Sequence, residues 1–98
     1  MNRDVAYALI GAELRRLRQL PYSELIKLLR KPETKQVVGG DGKSYQLEIE
    51  AIGDSANGED VRVIVAAADG GWRASKPLTG DFIMRPDGSF VRESLGGH

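Results

Sequence analysis

Ninety-eight residues, 41% of them hydrophobic and 29% charged, with 14 basic residues against 14 acidic, describe one small globular domain with a single core. The size excludes a cofactor domain beside a substrate domain, and the absence of cysteine excludes a disulfide framework and a thiolate nucleophile. Charge is unevenly placed: residues 1–31 carry seven Lys/Arg and three Asp/Glu, a balance of +4, and residues 32–98 carry −4. A basic helical layer resting on a more acidic sheet accounts for the split, as would a helical part that meets an anionic partner.

The N-terminal run MNRDVAYALIGAELRRLRQL interrupts its apolar residues with Glu13, Arg15, Arg16 and Arg18. It therefore has neither the apolar block of a signal peptide nor a membrane span, and the expected location is the cytoplasm. Ala6, Leu9, Ile10, Leu14, Leu17 and Leu20 recur at three- and four-residue steps, with Arg15 and Arg18 opposite them and Asp4 available to cap the start. After Pro21, Tyr22, Leu25, Ile26 and Leu29 repeat the spacing until Pro32 closes the segment. Two N-terminal helices over residues 1–31 are predicted.

From Thr34 the period becomes two. In YQLEIEAI, Tyr45, Leu47, Ile49 and Ala51 alternate with Gln46, Glu48 and Glu50, which predicts a strand with one dry and one wet face. DVRVIVAAA places Val61, Val63, Val65 and Ala67 on one face and Arg62, Ile64 and Ala66 on the other, the pattern of a central strand. Asp41-Gly42, Asn57-Gly58, Asp69-Gly70 and Asp87-Gly88 supply reversals between strands, because glycine accepts the positive φ of a tight turn. The fold class predicted is α+β: two helices on an antiparallel meander of four to five strands, near 34–39, 44–53, 60–68, a broken piece across 72–84, and 89–93. Residues 34–93 form the sheet of this single domain, and 94–98 are expected to be a flexible tail.

Apparent chemical motifs have simpler readings. GGDGKS (Gly39–Ser44) lacks the first glycine of a phosphate-binding loop, since Val37 stands there, and it precedes a strand and not a helix. DSANGED (Asp54–Asp60) offers oxygen ligands but has Ala56 and Val65 where a calcium loop requires donors. The one histidine is the terminal His98, which removes catalytic triads and histidine metal sites. Glu48 and Glu50 form a carboxylate pair on the wet face, where cross-strand pairing with Arg62 explains them better than hydrolysis. No catalytic residue, metal or cofactor is expected.

Two features invite a binding reading. Glu13 falls inside the apolar sector of the first helix, so either its head reaches water past the helix edge or it meets a partner such as Arg73 or Lys76 in a small polar site. Arg15, Arg16, Arg18, Lys27, Arg30 and Lys31 could contact phosphates, but the zero net charge and the scarcity of interleaved aromatics weigh against nucleic acid.

The stretch DGGWRASKPLTGDFIMRPDGSF (Asp69–Phe90) holds the only Trp and both Phe residues. It resembles an uncharacterised family of small bacterial domains, the likeness covering the C-terminal half and carried by Gly71, Trp72, Arg73, Pro77, Leu78, Phe82, Ile83, Pro86, Asp87, Gly88 and Phe90. The resemblance implies a sheet and brings no established function. Read by role, the glycines and prolines turn the chain and Trp72 anchors an edge of the core. Arg73, Lys76, Thr79 and Asp81 are left as polar groups beside an aromatic, as in a recognition surface. The expected function is a non-enzymatic protein–protein interaction module that meets a protein partner, a second copy included, through a sheet edge or the Trp72–Asp81 loop. The alternatives are polyanion binding by the basic helices and a small-ligand pocket between helices and sheet near Glu13 and Trp72.

Overall fold

The computed structural model describes residues 2–54, 58–69 and 77–95. Helix α1 spans Arg3–Arg18. Its N-cap is Asn2, whose Oδ1 accepts from the Val5 N–H at 3.1 Å, and not Asp4. Asp4 sits one step inside, in the first turn, where its carboxylate meets the positive end of the helix dipole. The second helix is shorter than expected: α2 covers only Tyr22–Leu25 and then tightens into a 3-10 turn, Ile26–Leu29. At three residues per turn the next inward position after Leu25 is Leu28, which is buried, while Leu29 swings out to 44% exposure. The layer is thus one long helix and one short, partly 3-10 segment, pinned to the sheet side by the Tyr22 hydroxyl, which donates to the Glu59 carbonyl.

Five strands follow: β1 Glu33–Val38, β2 Ser44–Gly53, β3 Val61–Ala68, β4 Leu78–Met84 and β5 Phe90–Leu95. Each pairs antiparallel with the next, so the spatial order β1-β2-β3-β4-β5 is the chain order. The expected meander is present with all five strands. Gly42, Gly58 and Gly88 take positive φ at 79°, 71° and 86° between successive strands, as their Asx-Gly pairs predict; Gly70, of the remaining pair, lies outside the described residues. β4 begins at Leu78, so the piece expected from residue 72 falls partly outside them too. β5 runs on to Leu95, two residues into the stretch expected to be a tail, and a bulge beside Ile83 and Met84 leaves Val91 without a pairing partner.

The core lies between the helical layer and one face of the sheet. Tyr45, Leu47, Ile49 and Ala51 of β2, Val61, Val63, Val65 and Ala67 of β3, and Phe82 and Met84 of β4 meet Ala6, Ile10, Leu14 and Leu17 of α1 and Leu25 and Leu28 beyond it. α1 crosses β3 and β4 and reaches β5, while the 3-10 turn covers β2. The crossing passes over Gly80, where an added Cβ would stand 2.7 Å from Leu95 Cδ2 and 2.8 Å from Ile10 Cγ2. Glycine here lets the helix approach the sheet.

Candidate binding faces

Strand pairing decides what each face carries. Because side chains alternate, the residues across from one another form rows on the face that, among the described residues, no helix covers. The first row is Ile52, Arg62, Ile83 and Arg92, the second Glu50, Ile64, Asp81 and Ser94, and the third Thr34, Glu48, Ala66 and Thr79. Gln46 pairs with Ala68 at the far end, beside Pro77, and the small side chains there leave a depression of about 180 Å³ between Gln46, Glu48, Ala66, Ala68 and Pro77.

This uncovered face is more apolar than its position requires. Ile64, Ala66 and Ala68 of the central strand are half-buried, and Ile52 is 47% exposed. Ile83 is only 5% exposed yet stands outside the core cluster, with Arg62 and Arg92 as its cross-strand neighbours. Arg62 Nη1 donates to Asp81 Oδ2 at 3.0 Å, a diagonal pair between adjacent rows. The pairing expected between Arg62 and Glu48 or Glu50 is absent: the register sets Ile52 opposite Arg62, and of its diagonal neighbours Arg62 engages Asp81 on β4 and not Glu50 on β2.

The residues singled out in the sequence divide between faces. Thr79 and Asp81 lie on the uncovered face of β4. Trp72, Arg73 and Lys76 lie outside the described residues. Glu13 is on the other side of the sheet, on α1, and is 6% exposed. Its Oε2 accepts from Arg16 Nε at 3.1 Å, and its Oε1 pairs with Lys35 Nζ of β1 at 2.7 Å. Glu13 thus neither reaches water nor shares a site with Thr79 and Asp81: it staples α1 to the edge strand. Burial alone would push its carboxyl up, but the hydrogen bonds and charges of Arg16 and Lys35 outweigh burial and hold it below the ordinary carboxylate range. The i, i+3 spacing of Glu13 and Arg16 is readable in the chain; Lys35 is not, since its inward direction follows from β1 pairing.

Beside this staple runs a groove of about 440 Å³ with Leu17, Leu20 and Leu28 as floor and Arg16, Lys31 and Glu33 along the rim. Other basic residues of the helical layer are partly spent within the chain. Arg18 pairs with Glu93 at 3.5 Å and lies 4.8 Å over the Phe90 ring, and Lys27 pairs with Glu24 at 2.9 Å. At the opposite end the buried Tyr45 donates its hydroxyl to Asp41 Oδ2 at 2.7 Å, which lowers the Asp41 carboxyl and fixes the β1–β2 turn.

Among the described residues no three of His, Cys, Asp and Glu are placed to hold a metal ion, and no helix is long and apolar enough to cross a membrane. Comparison with protein-family models, curated proteins and solved structures returns no match. Function is therefore argued from the geometry.

Proposed function

We propose that this chain is a non-enzymatic protein-binding domain that presents the uncovered face of its sheet. The observation that carries the reading is the central strand: β3 is apolar on both faces apart from Arg62, as in strands covered on two sides, while the helical layer covers one side only. An apolar centre of Ile52, Ile64, Ile83 and Ala66, framed by Glu48, Glu50, Arg62, Asp81 and Arg92, has the anatomy of a protein interface. Thr79 and Asp81, expected in a recognition surface, both belong to this face.

A photo-reactive residue placed at Ile64, compared with one at Ala12 on the exposed side of α1, tests the proposal in living cells. Protein adducts from position 64 that are missing from position 12 are the expected result. Adducts from position 12 alone, or from neither, overturn it.

A further inference from the structure

The charges and apolar groups of the uncovered face are arranged in a way that fits a second copy of the same face. Glu48 and Glu50 stand on β2, near one edge of the sheet, and Arg92 stands on β5, the opposite edge; among the described residues none of the three has an ion-pair partner within the chain. Arg62 and Asp81, between them, are already joined to each other. The unmatched negative and positive groups therefore lie on opposite flanks of an apolar centre, and a two-fold operation exchanges flanks.

Position of the axis is set by what would otherwise collide. Sheets packed face to face keep their strands nearly aligned, which an axis along or across the strands allows; only the axis along the strands exchanges the flanks and brings the acidic one over the basic one. Placed over β3, it would stack β2 on β4 and set Glu50 above Asp81, two like charges. Placed over β4, it would stack β3 on β5 and set Arg62 above Arg92, again like charges. Placed between β3 and β4, it stacks β2 on β5. Ile64 and Ile83 of both copies then gather at the axis beside the neutralised Arg62–Asp81 pairs, each Ile64 over the other copy's Asp81 and each Ile83 over its Arg62, and Glu50 of each copy lies one row from Arg92 of the other. One row is about 7 Å along a strand, within reach of an arginine side chain.

We infer that the chain forms a two-fold symmetric homodimer through this face, with Ile64 and Ile83 at its centre and two Glu50–Arg92 pairs across it. The inference rests on the protein-binding reading above and names the partner. With the axis between β3 and β4 the strands β2 to β5 of the two copies overlap, and over about six residues these four strands cover roughly 400 Å² per copy. Two such faces together bury about 800 Å², in the range of weak contacts, so the dimer is expected to be reversible. The contact is made by faces and not by backbone edges, and an isologous pair of faces closes at two copies.

Sedimentation equilibrium of the full chain between about 1 µM and 1 mM tests it. The wild type is expected to pass from monomer to dimer. Glu50→Arg and Arg92→Glu alone each place like charges across the axis twice and should raise the Kd by about tenfold or more, while E50R together with R92E should return it to within about threefold of wild type. Both positions are exposed, so unchanged thermal midpoints will show that the variants fold. A chain monomeric at 1 mM, or a double variant no better than the single ones, overturns the dimer. If the wild type is monomeric while position 64 still yields adducts to another protein in cells, the homodimer fails and the binding face stands. If both assays are empty, both fail.

Discussion

On its covered side β3 carries Val61, Val63, Val65 and Ala67, each at 2% exposure or less, and on its uncovered side Arg62, Ile64, Ala66 and Ala68, all half-buried. One strand, with one backbone and one set of neighbours, thus has two surfaces that differ in what lies above them. On the covered side α1 supplies Ile10, Leu14 and Leu17; on the other, among the described residues, the neighbours are side chains of the same rows and Pro77. The difference teaches that apolar character on both faces records two separate demands, one from the core of this chain and one from whatever meets the sheet.

The largest effect should separate these demands most clearly. Phe82→Ala removes a fully buried ring beneath α1 and should cost about 3–5 kcal/mol in urea unfolding, whereas Ile64→Ala on the uncovered side should cost about 1 kcal/mol or less at dilution. Equal losses would show that the second face is as structural as the first. Next in size, Leu28→Ala should cost about 2 kcal/mol or more and Leu29→Ala about 0.5 kcal/mol or less, because the 3-10 turn points the first inward and the second out. The reverse ranking would mean that the segment continues as an α-helix.

A smaller effect concerns the Glu13 staple. Its folded pKa lies below the ordinary 4.5, so the stabilisation is fully present above that value and is lost as pH falls through 4.5 and below. Since Arg16 and Lys35 are 50% and 41% exposed, Glu13→Gln should cost about 1 kcal/mol at neutral pH, and its stability should fall less steeply on acidification than the wild type's. Parallel pH profiles would remove the staple from the account. Smallest of all, Arg62→Ala breaks a partly exposed pair and should change monomer stability by about 0–1 kcal/mol, measured by the same unfolding experiment.

Much of this architecture is legible in the chain because it depends on local period. The alternation through Tyr45, Leu47, Ile49 and Ala51 identifies the buried side of β2 whatever its neighbours, and Asx-Gly pairs mark the reversals around Gly42 and Gly88. Legibility ends where a residue's role depends on partners distant in the chain. Leu28 and Leu29 both fit an apolar sector until the helix type is known. Glu13 is recognisable as an acid in an apolar stripe, but its partner Lys35 is fixed only once β1 has paired with β2 and α1 has docked on the sheet. Asp81 was visible as a polar residue near an aromatic, while its engagement with Arg62 required the β3–β4 register. Separation of Glu13 from Thr79 and Asp81 onto opposite sides of the sheet is likewise a consequence of assembly, invisible to any window of residues.

The sheet's strict chain order has a bearing on how the molecule comes into being. Every strand finds its neighbour across a single short connection, so hairpins can close one after another with little loop entropy to overcome. α1 precedes the strands in the chain but belongs at the end of this order of assembly, because the strands it crosses, β3 and β4, and the Leu95 beside Gly80 all follow it at a distance. In pulse-labelled hydrogen exchange the amides of β2 and β3 should become protected before those of α1; helix protection arriving first would mean that the layer nucleates the sheet. Until β4 is in place, α1 waits in water with its apolar stripe unmet, and the arginines along its outer side keep that wait soluble.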